Sequence, residues 1–315
     1  MLLEAEAAAE KGADQGSSIV ARSMSVTVRY FTDPACSWSW STEPTIRKLM
    51  VEFGESLRWT FVMTGLSRDY ASDHDDPEAG IGGSAGVYPG LVNHWLDVAE
   101  RGRMPMDPRI WTEAPIASTY PACMAVKAAG EQADDGGYAY LRRLREGLLC
   151  FRRKLDTTES LVEEARGAKL NVERFRIDLG SHATVEAFGE DLEEIRTIPD
   201  DARAEGMIKS VGGPERLTIP SAVLVGEDGS RHGVYGYKPY EDYAAAAEAA
   251  GAVREDADPP GISDALRRFG RMATREIEAV CGLPEPRAQA ELWRMASEWE
   301  LRPTRVLTGH LWELA

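Results

Sequence analysis

The sequence predicts an α/β protein in which a β-α-β unit and a later β-β-α unit are separated by a block of helices, with a small, mainly helical module appended. Three observations carry this reading. Two β-type runs, residues 25–31 and 56–63, flank a stretch with helical spacing. Between about residue 91 and residue 211 helix-type segments follow one another without a clear strand. Around residues 226–229 two β-type runs meet across Gly-Glu-Asp-Gly, a hairpin signal.

Residues 1–24 are rich in Ala, Glu, Gly and Ser and read as a disordered tail, with Met24 a candidate for the true start. The first strand, Ser25 to Phe31, leads into Asp33-Pro34-Ala35-Cys36-Ser37-Trp38-Ser39-Trp40. A helix follows from about Ser37 to Phe53, with Ile46, Leu49, Met50 and Phe53 on one face. Pro44 lies inside it and predicts a kink, because its ring meets the carbonyl of Trp40. Gly54 closes the helix and Ser56–Met63 alternates as a strand. Residues 65–92 read as a long loop.

Helical segments are then expected at about Leu91–Arg101, Ile116–Gly130, Gly137–Arg153, Thr158–Gly167, Asn171–Leu179 and Ala183–Arg196, with a short one at 201–211. Asn171 and Ser181 are N-cap candidates. Strands return at Ser221–Val225 and about Arg231–Tyr235, followed by a helix at Tyr240–Gly251. Residues 252–261, ending Asp-Pro-Pro-Gly, read as a linker. The last segment, 262–315, carries helices at about Ser263–Arg275, Arg275–Cys281 and Glu285–Glu298, then two short strands; the order is winged-helix-like, with Trp293 and Trp299 expected in its small core.

Composition narrows the function. The chain has 315 residues, 43% hydrophobic and 28% charged, ordinary for a soluble globular protein. A net charge of −16 argues against nonspecific binding to nucleic acid or to an anionic membrane, both of which need a basic face. The terminal module bears eight arginines against eight acidic residues and no lysine, which fits protein interaction or dimerisation better than DNA binding. No apolar run approaches the roughly 20 residues of a membrane span. The acidic N-terminus lacks the regions of a signal peptide, and four unpaired-looking cysteines fit a reducing compartment, so a cytoplasmic location is expected. The five histidines show no ligand spacing with the cysteines, and no phosphate-cradling glycine loop follows a strand, so neither a metal nor a nucleotide is expected; His74-Asp75-Asp76 and Gly82-Gly83-Ser84 read as loop composition.

The chemistry centres on Cys36. Unpaired N–H groups at a helix start favour an anion, so the Cys36 thiol is expected to be acidified and nucleophilic. A redox-active pair would be Cys-x-x-Cys; here the second position is Ser39. Dithiol oxidation by Cys36 and Ser39 is excluded, although the Ser39 hydroxyl is placed to donate to a thiolate. Thr218-Ile219-Pro220 precedes the apolar strand from Ser221, where a cis-proline loop would leave a backbone edge for an extended substrate. Ser37, Trp38, Ile219 and Pro220 are therefore the substrate-binding candidates, and Cys36 and Ser39 the catalytic ones. Trp40 reads as a core anchor. Tyr88, His94, Trp95, Trp111 and Tyr120 are candidates for an aromatic wall, with packing the first reading for each. Cys123 is the candidate second thiol, set against a reading as a buried small apolar residue; Cys150 and Cys281 read as core.

These residues resemble the DsbA-like branch of the thioredoxin superfamily, in particular cytoplasmic members with an Asp-Pro-x-Cys-Ser-Trp-Cys-Trp signature. The likeness spans about residues 25–251 and includes Glu43-Pro44, Met63-Thr64-Gly65-Leu66 and Ser118-Thr119-Tyr120-Pro121-Ala122. It implies a thioredoxin-like core (25–64 and 200–251) interrupted by a helical insertion (65–199). It also implies a monothiol thiol–disulfide reaction in which Cys36 forms mixed disulfides with glutathione or a protein partner, glutathione being a co-substrate and no resident cofactor being expected. Two alternatives stand beside it: a non-catalytic adaptor on the same fold, docking a protein partner through the C-terminal module, or a glutathione-dependent transferase or isomerase. A redox-sensing transcription factor using that module is a further reading.

Overall fold

The computed structural model describes residues 25–71, 87–210 and 214–315. The tail, His74-Asp75-Asp76 and Gly82-Gly83-Ser84 lie outside the described residues. The chain opens with β1 (Val26–Thr32), α1 (Ser37–Glu52), a single 3₁₀ turn at Gly54–Ser56 and β2 (Leu57–Met63). The helical block comprises α2 (Val87–Gly102), α3 (Ile110–Glu113), α4 (Tyr120–Gly130), α5 (Tyr138–Arg145), α6 (Thr158–Gly167), α7 (Val172–Leu179), α8 (His182–Glu194) and α9 (Asp200–Ala204). Then come the two-residue strands β3 (Ile208–Lys209) and β4 (Arg216–Leu217), followed by β5 (Ser221–Val225), β6 (Arg231–Tyr235) and α10 (Tyr240–Ala249). The C-terminal segment runs α11 (Ile262–Phe269), β7 (Met272–Ala273), α12 (Thr274–Val280), α13 (Glu285–Ser297), β8 (Leu301–Val306) and β9 (Gly309–Leu314).

The main sheet has the order β2-β1-β5-β6, with β1 parallel to β2 and antiparallel to β5. A helix crossover is needed to make β1 and β2 parallel, and α1 supplies it. Alternation along the strands divides the apolar side chains between two faces. Val28, Tyr30, Phe61 and Leu224 enter the large core shared with the helical block, whereas Phe31, Val62, Val223 and Tyr235 form a smaller cluster that includes Cys36 and Ile219.

Several boundaries differ from the sequence reading, for local reasons. The fourth helix begins at Tyr120 rather than Ile116, because Thr119 N–H is first tied to the carbonyl of Ser67 at 2.9 Å and Pro121 then sits within the first turn, where no N–H is needed. The fifth helix leaves α geometry at Arg145 and continues as a π turn, Glu146–Cys150, with Phe151 N–H reaching Glu146 at 3.1 Å. The helix expected over 201–211 stops at Ala204, two residues before Gly206 at φ +70°. Asn171 and Ser181 do cap α7 and α8, accepting the N–H groups of Arg174 and Thr184. Helix α1 runs through Pro44, and Thr42 Oγ1 donates to the Trp38 carbonyl at 2.9 Å.

The C-terminal segment has three helices and a three-stranded antiparallel sheet of order β7-β9-β8, around its own core of Ile277, Leu292, Met295, Leu301 and Trp312. Trp312, 1% exposed, fills the place expected of Trp299, which is 86% exposed, and Trp293, which is 42% exposed and packs its edge on Trp312. The reason is strand register: Trp312 lies opposite Met272 and faces inward, whereas Trp299 falls beyond the end of α13 at φ +63°. Residues 253–255 are pinned to the end of α1, Val253 N–H on Ser56 Oγ at 2.8 Å and Glu255 N–H on the Glu52 carbonyl at 2.7 Å.

A buried ionic network joins this segment to α1 and α5. Arg142 forks onto both oxygens of Glu276 at 2.8 and 2.9 Å and reaches Glu146 at 2.9 Å. Arg47 lies 3.1 Å from Glu276, and Glu43 receives Arg145 and, at 2.7 Å, the Tyr138 hydroxyl. Taking these charges out of water costs several kcal/mol each, so their arrangement is a statement about specificity of docking more than about net stability.

Candidate functional site

Cys36 is the N-cap of α1, and its sulfur accepts the Ser39 N–H at 3.3 Å. The turn before it is held by Asp33: one carboxylate oxygen takes the Ala35 N–H at 2.8 Å, the other the Leu66 N–H at 2.7 Å and the Cys123 thiol at 3.3 Å. Asp33 thus ties the active-site turn to the segment leaving β2. Its burial raises its pKa against those hydrogen bonds.

The Cys36 thiol is not acidified. Burial pushes its pKa up, while the polar groups of Ser39 pull the other way; the charge of Asp33 adds to the rise and Arg145 opposes it. This corrects the expectation from helix position: Cys36 is only 5% exposed and packs with Phe31, Ile219 and Val223, and desolvation there outweighs the helix end. Ser39 is fully buried, and its hydroxyl, with no nitrogen or oxygen partner, is turned only to the Cys36 sulfur.

A cavity of about 500 Å³ opens over the sulfur. Of the sequence candidates, Cys36, Ser37, Trp38 and Ile219 line it, whereas Ser39 and Pro220 are buried and form no part of its wall. The Ile219–Pro220 peptide bond is cis, and the loop around it is fixed by Thr218 N–H on the Met207 carbonyl and Ser221 Oγ on the Thr218 carbonyl, at 3.0 and 2.6 Å. Ser37 Oγ lies 3.2 Å from His94 Nε2. Trp38 packs edge-on against His94 and, at 4.9 Å, against Tyr237. Trp40 is a core residue: its indole donates to the Pro105 carbonyl at 3.0 Å and Arg142 lies over its ring at 4.2 Å.

Among the expected packing aromatics, His94 and Trp95 line the cavity, while Trp111 stacks on Tyr88 and Tyr120 packs on Phe188 away from it. Sequence reasoning set an aromatic wall that includes His94 and Trp95 second to packing, and missed three cations around the opening, Lys209, Arg216 and Lys238. The only signal was their sign in an acidic chain; β3, β4 and the loop after β6 bring them together.

The other thiols stand back. Cys123 donates to Asp33, Cys150 to the Pro105 carbonyl at 3.2 Å, and Cys281 sits in the C-terminal core with its pKa pushed up to about 11 by burial. All four cysteines are free and buried. Among the described residues no helix is long and apolar enough to cross a membrane, and no group of three His, Cys, Asp or Glu side chains is placed to hold a metal ion.

A family model described as Thioredoxin matches residues 30–198, more than half of the chain. The ClpXP adapter protein SpxH of Halalkalibacterium halodurans is 26% identical over 291 residues, which cover 90% of this chain and 86% of that protein. The Bacillus subtilis protein of the same name is 26% identical over 289 residues, covering 90% and 87%. Among solved structures, the cytosolic disulfide reductase DsbM of Pseudomonas aeruginosa is similar at a TM-score of 0.50 and 17% identity, covering 70% of this chain and 96% of that one; this likeness is of fold.

Proposed function

As a DsbA-like member of the thioredoxin family, this chain has one of the two sulfurs of the dithiol motif, and we propose that it is a cytoplasmic protein-binding adaptor that presents a client to ClpXP. The observation that carries this reading is the pair Cys36 and Ser39: a thiol kept protonated by burial, one helical turn from a hydroxyl that cannot form a disulfide. The cavity between Trp38, Ile219 and Tyr237 remains a surface on which an extended segment can lie. Support for the adaptor role comes from relatives that are 26% identical over 90% of this chain and bear that name. The C-terminal module, read as winged-helix-like with mixed charge, is assigned to a protein partner and not to nucleic acid.

The test is complementation with protein turnover as the readout. Deleting the chain from its host should stabilise a defined set of proteins against ClpXP, and both the natural chain and Cys36→Ala should restore their degradation. The adaptor reading is overturned if Cys36→Ala behaves as the deletion does, or if purified ClpX and ClpP degrade those proteins equally with and without the chain.

A second reading, monothiol chemistry, is favoured by one observation: the Cys36 sulfur lies in the wall of an open cavity and not in the core alone. Its thiolate would attack one sulfur of a disulfide, form a mixed disulfide and release the other half as a thiolate; the thiolate of an outside thiol such as glutathione would then attack the bound half's sulfur, forming a new disulfide with it and releasing Cys36 as a thiolate. Intact mass after incubation with oxidised glutathione decides it. A glutathione adduct on native protein at neutral pH supports this reading, and reaction of the denatured protein alone removes it.

A further inference from the structure

A second cavity, about 870 Å³, is lined by Arg47 and Met50 toward the C-terminal end of α1, whereas the Cys36 cavity takes Ser37 and Trp38 from its start. Its walls come from β2, α1 and α5 on one side and from the α11–β7 turn on the other, so it lies at the seam between the thioredoxin-like unit and the C-terminal module. Its volume is within the range of sites for small organic ligands, roughly 300–1,000 Å³.

Two properties define what would fit. One wall is a ladder of near-parallel rings: Trp59 on Phe61 at 6.1 Å and 13°, and Phe61 on Tyr138 at 5.2 Å and 17°. Trp59 ends the ladder at the half-buried edge of the sheet, and an outer ring in such a series offers a face to a further planar group. The second property is uncommitted positive charge. Arg47 and Arg142 are occupied by Glu43 and Glu276, Arg143 by Glu164, and Arg271 by Glu146 and Glu313. Arg58 on β2 and Arg268 on α11 have no carboxylate partner among the described residues, and both are exposed at the cavity. Arg268 lies 5.1 Å from the Phe269 ring centroid and donates to the Met50 carbonyl at 2.7 Å, which fixes its direction. Asp134 and Asp135 are the wall carboxylates that pair with no arginine among the described residues, and Asp135 is turned toward the N–H groups of Gly137 and Ala139. In a chain of net charge −16, two exposed guanidinium groups with no ion-pair partner among the described residues, set beside stacked rings, are a local feature.

We infer that this seam cavity is a binding site for a small ring-bearing anion, whose ring stacks on Trp59 and whose acid group is held between Arg58 and Arg268. Guanidinium groups suit carboxylate and phosphate alike, so a nucleoside monophosphate and an aromatic acid are the two sources of this chemistry. A ligand there touches both sides of the seam and so favours the docked arrangement of the C-terminal module. The inference stands apart from the adaptor reading, which concerns the Cys36 cavity.

The experiment uses the full chain with anilinonaphthalene sulfonate as the fluorescent ring-bearing anion and AMP as competitor. Saturable binding is expected, weakened about tenfold or more in Arg58→Glu/Arg268→Glu and unchanged in Lys238→Glu at the Cys36 cavity. Both arginines are exposed, and a thermal melt confirms that the double variant is folded. Displacement by AMP assigns the site to nucleotides, and probe binding without displacement assigns it to aromatic acids. Absence of saturable binding by either compound, or binding that the double reversal leaves intact, overturns the inference.

Discussion

The backbone N–H of Ser39 points at the Cys36 sulfur from 3.3 Å, while the buried Ser39 hydroxyl is turned to the same sulfur with no nitrogen or oxygen partner. The site therefore has the backbone geometry that holds a sulfur at a helix start, with a hydroxyl where a dithiol motif has its second sulfur. An unpaired buried hydroxyl disfavours the folded state by about 1–3 kcal/mol.

Replacing that hydroxyl should be visible in both stability and chemistry. Ser39→Ala is expected to raise the unfolding free energy by about 1 kcal/mol, measured by denaturant titration. Ser39→Cys is expected to form an intramolecular disulfide with Cys36, seen as loss of two hydrogens in the intact mass under oxidant, and to acquire insulin-reducing activity absent from the natural chain.

The raised pKa of Cys36 predicts slow alkylation at neutral pH. Iodoacetamide should label the native chain more slowly than free cysteine, with a rate still climbing above the ordinary thiol value of about 8.5. The same shift bears on stability. Cys36, Cys123, Cys150 and Cys281 all have folded-state pKa values above their unfolded ones, so their stabilising contribution is full below about pH 8.5 and is lost as pH rises through the folded values. Denaturation midpoints should fall between neutral and alkaline buffers.

At the seam, Glu276→Gln leaves Arg142 and Arg47 short of a buried counter-charge and should cost about 3–5 kcal/mol. Glu43 behaves oppositely to the thiols in pH. Its pKa is lowered, because three arginines together overcome the burial that would raise it. Its contribution is therefore present above the unfolded carboxylate value of about 4.3 and is lost as pH falls. Hydrogen exchange at α12 should accelerate in Glu276→Gln before it does in β1.

The two tryptophans of the C-terminal module should part company. Trp312→Ala is expected to cost about 3–5 kcal/mol by opening a core cavity. Trp299→Ala should change stability by no more than about 0.5 kcal/mol. Thermal melts of the two variants separate them.

What could be seen in the amino-acid order was what depends on neighbours in the chain. The periods of residues 26–32 and 37–52, the caps Asn171 and Ser181 and the turn after Val225 all follow from local rules, and all are in place. Trp299 was misjudged because hydrophobicity alone cannot tell an inward strand residue from one beyond a helix end. Lys209 and Arg58 carried no local signal at all: one is brought to the site by β3, the other to the seam by the edge strand.

By itself the sequence determined the α/β order, the place of Cys36 at a helix start and the loss of the second sulfur at Ser39, since each is a matter of residue type and short spacing. Only the tertiary structure decided that Cys36 is a buried, weakly acidic thiol, because desolvation depends on Ile219 and Val223, which lie far from it along the chain. It likewise decided that the C-terminal segment is clamped to α1 through Arg47, Arg142 and Glu276 and that a cavity lies beside that clamp. Charge pairing and cavity shape arise where separate elements meet, and no local period records them.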